Sequence, residues 1–119
     1  MPTREPAKLS TKASDAIRQA SQNGGIAVSA ITLWELAWLA THDRLDIAGT
    51  AETFVEKITS RTAVRPITVR VAVLANQLPA SYSRDPCDRL IGATALAEGI
   101  ALVTRDDRMR ACTQIRTIW

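Results

Sequence analysis

Carboxylates recur in three short fragments: Trp34-Glu35-Leu36, Asp85-Pro86-Cys87-Asp88-Arg89-Leu90 and Thr104-Arg105-Asp106. Each fragment lies where an apolar, strand-like run meets a helical one. Glu35 stands in Ile31-Thr32-Leu33-Trp34-Glu35-Leu36-Ala37-Trp38-Leu39, where a carboxylate is costly unless paired or bound to a cation. Asp85 fits the N-cap of a helix that opens at Pro86, and Asp88 favours the N-terminal end of that helix dipole. Asp106 and Asp107 follow a strand and can cap the next turn. As a set, carboxylates without histidine or cysteine select a hard divalent ion, Mg²⁺ or Mn²⁺. Such an ion lowers the pKa of its bound water and stabilises the charge of an in-line phosphodiester displacement. Without it, clustered acids repel one another. On this reading the metal and catalytic residues come from Glu35, Asp88 and the Asp106-Asp107 pair. Ser29 and Thr104 offer accessory hydroxyls, Asp85 acts indirectly as a cap, and Arg89 and Arg105 hold substrate phosphates.

Other chemistries lack their residues. His42 is the only histidine and falls in Thr41-His42-Asp43-Arg44, which reads as a solvated helix exit. No Ser-His-Asp or Cys-His constellation can be built without it, and no P-loop or GxGxxG occurs. A phosphoacceptor domain of the receiver kind needs a lysine after a strand. The lysines are Lys8, Lys12 and Lys57, and none follows one. Cys87 and Cys112 are the two cysteines; outside any CxxC spacing they read as reduced thiols. Trp34 and Trp38 share one helical stripe, suited to core or subunit packing or to base stacking.

The elements that position these groups alternate. Apolar spacing predicts a helix over residues 9–20, with Ser10 as N-cap and Asn23-Gly24-Gly25 as its stop. A short strand is expected over 26–28, helices over 31–41 and 51–59, a strand over 63–67 and a helix over 69–78. After a loop over 79–85 come a helix over 86–98 stopped by Gly99, a strand over 100–103, a turn of helix over 106–109 and an edge strand over 115–118. Short apolar strands alternating with helices argue for an α/β fold, a parallel sheet with helices on both faces. In such sheets functional groups gather beyond the carboxyl ends of the strands.

At 119 residues, 46% hydrophobic and 23% charged, the chain fits one domain with a core. Residues 1–8 are expected to be poorly ordered. No run is long and apolar enough to span a membrane and no signal peptide opens the chain, so a cytoplasmic place is expected. The net charge is only +3, but no acid falls between Glu56 and Asp85, where Lys57, Arg61, Arg65, Arg70 and Arg84 do. That stretch suits a solvated basic face or a nucleic-acid surface.

Three blocks in order carry a resemblance. Val28-Ser29-Ala30-Ile31-Thr32-Leu33-Trp34-Glu35-Leu36-Ala37, Asp85-Pro86-Cys87-Asp88-Arg89-Leu90-Ile91-Gly92-Ala93-Thr94-Ala95 and Leu102-Val103-Thr104-Arg105-Asp106 resemble PIN-domain proteins, and more narrowly the VapC-type toxins of bacterial toxin–antitoxin pairs. The likeness extends over about residues 9–119. It implies a three-layer PIN-like fold and a Mg²⁺-dependent endoribonuclease restrained by a small cognate antitoxin. By position Glu35, Asp88 and Asp106 match the family's acids. The family opens with a strand ending in a Leu-Asp-Thr-like segment, which supplies the first acid and the centre of the sheet. Residues 1–8 hold two prolines and do not match it. The expectation is a chain lacking that central strand, between the strands at 26–28 and 100–103, with weakened metal binding and slowed cleavage. It should rearrange, exchange elements with a second copy as a homo-oligomer, or be poorly stable alone. The alternative is a non-catalytic PIN module that binds an antitoxin or RNA.

Overall fold

The structure, a computed structural model, describes residues 9–43 and 46–119; the expectation for residues 1–8 lies outside them. The elements follow in the order α1 (Thr11–Asn23), β1 (Ile26–Ser29), α2 (Ala30–Thr41), α3 (Ala51–Thr59), β2 (Thr62–Arg65), α4 (Val69–Gln77), α5 (Pro86–Glu98), β3 (Leu102–Val103), α6 (Asp107–Arg110) and β4 (Thr117–Ile118). The α/β alternation read from the sequence is present. Each helix opens on a side chain that accepts from its first turn: Ser10, Ser29, Thr50, Thr68, Asp85 and Asp106. These caps satisfy amides that no intrahelical carbonyl can reach.

The boundaries differ from the periodicity where a local hydrogen bond takes over. α1 runs three residues past the expected end, up to Gly24. β2 ends at Arg65 rather than residue 67 because Pro66 has no N–H to continue the ladder. β3 holds only two residues. Gly99, in the left-handed region at φ 67°, lets its N–H reach Leu96 O at 3.2 Å and lets Ile100 N–H reach Ala95 O at 3.1 Å. That pair of bonds closes the end of α5 and removes Ile100 from the strand. β4 is likewise short, since Ile115 is buried in the core instead.

β1 pairs with β2 in parallel, from Ile26 opposite Thr62 to Ser29 opposite Arg65. β3 pairs with β4 in parallel, Leu102 opposite Thr117 and Val103 opposite Ile118. Among the described residues the two pairs are not hydrogen-bonded to each other. β1 and β3 therefore each carry one edge unpaired within that set. Their residues are only partly buried, Ser29 excepted. The parallel direction was expected; among the described residues the two pairs do not join into one sheet.

α5 is the spine of the packing. One cluster gathers Leu78, Tyr82, Ala95, Met109, Cys112 and Ile115, and a second gathers Val71, Ala75 and Ala93 where α4 meets α5. Gly92 sits at the tightest approach: a Cβ there would lie 2.2 Å from Tyr82 Oη and 3.1 Å from Ile115 Cδ1. Tyr82 is 2% exposed and cannot retreat to solvent. Gly92→Ala is expected to lower stability by about 2–4 kcal/mol, in the range of severe overpacking. Denaturant unfolding measures it, and an unchanged midpoint would show that the ring moves aside at little cost.

Candidate metal and catalytic site

Asp88 occupies the first turn of α5, behind the Asp85 cap. Asp85 Oδ1 accepts from Cys87 N–H at 2.7 Å and Asp88 N–H at 3.4 Å. The capping role read from the sequence is what the structure shows. Asp88 Oδ2 accepts from Ser83 Oγ at 2.6 Å. Tyr82 Oη donates to the Asp88 carbonyl at 3.1 Å. Asp88 also lines an open pocket of about 490 Å³ with Ile91, Leu102, Val103, Thr104 and Asp106.

Glu35 reaches this group from the middle of α2. Part-burial pushes its pKa up, and the neighbouring charges of Asp88 and then Asp85 push it further; a hydrogen bond with Cys87 acts the other way. Cys87 is in turn raised by burial and by Glu35, Asp85 and Asp88. Glu35, Asp85 and Asp88 therefore share one electrostatic neighbourhood. Below its ordinary pKa of 4.5, Glu35 is protonated folded or unfolded and its contribution to stability is complete. As pH rises through the higher folded value, the folded chain must charge it beside two acids, and that contribution is lost. Without divalent ions, Glu35→Gln is expected to melt a few degrees above the wild type near neutral pH, with the gap closing toward about pH 4. A gap that widens as pH falls would reverse the sign of this electrostatic argument.

Asp106 approaches across the pocket. It caps α6: Oδ1 accepts from Arg108 N–H at 2.9 Å and Met109 N–H at 3.1 Å, while Oδ2 takes Arg108 Nη2 at 3.3 Å. The Met109 amide and the Arg108 guanidinium hold its carboxyl below the usual range. Asp88 is thus an electrostatic neighbour of Glu35 and shares the pocket lining with Asp106. Among the described residues, no three His, Cys, Asp or Glu side chains close to a ready-made cage. A Mg²⁺ ion does not require one, since it is often held by one or two carboxylates and keeps several waters. The donor set, all carboxylate oxygen beside a mutually repelling group, suits such an ion.

The accessory hydroxyls have local duties. Ser29 is 4% exposed and caps α2, accepting from Ile31 N–H at 3.3 Å. Thr104 Oγ1 accepts from Asp106 N–H at 3.2 Å. Arg89 departs from the expectation of a phosphate contact. Its Nε donates to Ala75 O at 2.8 Å, Nη1 to Ser83 O at 2.9 Å and Pro79 O at 3.4 Å, and Nη2 to Leu78 O at 2.5 Å. A planar fork so committed is a post for the α4–α5 connection. Arg105 is exposed beside the pocket and makes no hydrogen bond or ion pair with the described residues. His42 is the exposed C-cap of α2, the helix exit read from the sequence, and its ring also stacks on Trp38 at 4.2 Å with Nδ1 2.8 Å from Trp38 O. Sequence reasoning missed Ser83, Tyr82 and the Cys87 link to Glu35. The one available signal for Ser83 was its place two residues before a helix cap, where a hydroxyl can accept a turn amide.

Comparison with known proteins agrees with this architecture. The PIN domain model matches residues 5–113. Ribonuclease VapC22 of Mycobacterium tuberculosis is 41% identical over 117 residues, covering 97% of this chain and 88% of that protein. The chain belongs to the PIN-domain family, and within it to the VapC type. Two solved complexes share the fold. A chain of VapBC2 from Rickettsia felis, bound to a DNA fragment from its promoter, superposes with a TM-score of 0.70 at 18% identity over 87% of this chain and 81% of that one. DNA-bound VapBC from Salmonella typhimurium gives 0.67 at 22% identity over 87% and 80%.

Proposed function

We propose that this chain is the toxin of a type II toxin–antitoxin pair, an endoribonuclease that uses Mg²⁺ or Mn²⁺ at Glu35, Asp88 and Asp106. The observation that carries this reading is Asp88 itself, whose charge acts on Glu35 and whose side chain lines one pocket with Asp106. The 41% identity to a protein named as a ribonuclease supports the reaction class. When bound, the ion supplies an activated water and offsets charge on the scissile phosphate. The chain's own residues do the rest. Asp88 is held in one orientation by Ser83, and Asp106 is held by the α6 amides. Glu35 supplies a carboxyl whose ionisation the ion would favour. Arg105 is the cation placed to take a substrate phosphate.

The expected partner is a small antitoxin. α2 is apolar on most sides yet leaves Trp34 at 59% and Trp38 at 36% exposure, a surface suited to a second chain or a second copy. Among the described residues no helix is long and apolar enough to cross a membrane, and both cysteines are free thiols, which supports a cytoplasmic place. A second reading, a non-catalytic PIN module that binds antitoxin or RNA, is favoured by the lack of three clustered donors among the described residues. Incubating the purified chain with total RNA in Mg²⁺ and in EDTA separates the two. Cleavage in Mg²⁺ alone supports the enzyme. Intact RNA in both, with antitoxin still bound, supports the module.

A further inference from the structure

We propose that Ser83 is the positioning residue for Asp88, the hydroxyl that fixes which way this carboxylate faces. The inference rests on the metal-site reading above. Ser83 lies in the loop between α4 and α5 and is 0% exposed. Its oxygen accepts the Asp85 N–H at 3.1 Å, which orients the hydroxyl and leaves its one proton for Asp88 Oδ2 at 2.6 Å. That length falls in the charge-assisted range for a hydroxyl on an ionised carboxylate. No water can compete at so buried a position.

The neighbours make Ser83 a fixed point. Arg89 Nη1 holds the Ser83 carbonyl at 2.9 Å, tying the loop to the same helix turn that carries Asp88. Tyr82, the residue before it, holds the Asp88 carbonyl, and only glycine at position 92 leaves room for that ring. Tyr82 thus ties the loop to the α5 main chain, and Ser83 alone holds the carboxylate. Among the described residues Asp88 Oδ1 accepts no hydrogen bond and is the oxygen left for a ligand. Thr104 shows the contrast. It accepts the Asp106 amide two residues on, as Ser83 accepts that of Asp85, but gives its proton to Met109 Sδ at 3.8 Å rather than to an acid. Partners of this kind commonly change metal affinity by about 10–100-fold when removed.

The test is Mn²⁺ affinity of the full chain, read from the free-ion resonance in solution, alongside thermal unfolding. Ser83→Ala should weaken Mn²⁺ binding about tenfold. Tyr82→Phe, which removes a contact to a backbone carbonyl only, should lower the melting temperature and leave the affinity within about twofold. If Ser83→Ala does not fold, Ser83→Cys takes its place, and its weak S–H donor should also reduce affinity. Wild-type affinity in a folded Ser83 variant overturns the positioning role and leaves the metal site standing. A wild type that binds no Mn²⁺ overturns both.

Discussion

Asp88→Asn is expected to lower Mg²⁺-dependent RNA cleavage by at least about 100-fold while leaving the fold intact. The side chain keeps its shape, and its amide oxygen still accepts from Ser83 Oγ, which lies 2.6 Å from the carboxylate. The cap on α5 is Asp85, not Asp88, so the helix keeps its start. What disappears is one formal negative charge, the one that acts on Glu35 and lines the pocket with Asp106. Glu35 should then ionise more easily, since Asp88 is the largest charge acting on it. Losing one electrostatic contact to developing transition-state charge typically costs about 10²–10³ in rate. Single-turnover cleavage of a defined RNA, with unfolding measured on the same sample, reads both quantities. Cleavage within about threefold of wild type would remove Asp88 from the chemistry.

The second large effect concerns the sheet. Within the described residues β1 and β3 each pair on one side only, and apolar residues of the strands remain half-exposed, with Val64 at 41%. An open parallel edge leaves backbone groups without partners and invites other chains. An extended peptide of alternating apolar residues ending in Leu-Asp-Thr, added in trans, should pair with the open edges of β1 and β3, and its aspartate should add a carboxylate to the site. Covering about 120–200 Å² of apolar surface at about 25 cal/mol per Å² gives about 3–5 kcal/mol. For a chain of this size that is a rise of roughly 10 °C or more in melting temperature, with tighter Mn²⁺ binding alongside. A strand that changes neither quantity would show that the edges are already satisfied.

Much of this was legible from residue types. Asp85-Pro86 announces a capped helix, Gly99 its end, and Pro66 the place where a strand must stop, because each acts through its own backbone chemistry. Glu35 stood out in the sequence as an acid in an apolar helix, and the structure gives it Asp88 and Asp85 as charged neighbours, while Asp88 and Asp106 line one pocket. The role of Arg89 was not. Its carbonyl partners at Ala75, Leu78, Pro79 and Ser83 come from a preceding helix end and loop, and no spacing rule brings them to one guanidinium. Ser83 was half hidden: its turn bond to the Asp85 amide follows from spacing, but its bond to the Asp88 carboxylate forms only once the loop meets α5. The length of β3 was misjudged because apolar character at Ile100 says nothing of a helix-closing bond to Ala95.

The most direct measurement is paramagnetic broadening of backbone amide signals as Mn²⁺ is added to the isotope-labelled chain. A site built by Glu35, Asp88 and Asp106 predicts that the amides of Glu35, Cys87, Asp88, Arg105 and Asp106 fade first. The amides of Glu98 and Gly99, at the far end of α5 from Asp88, should fade later, and Glu35→Gln should demand more Mn²⁺ for the same loss. Broadening that begins elsewhere, or that is uniform along the chain and indifferent to Glu35→Gln, would contradict a metal site at these acids.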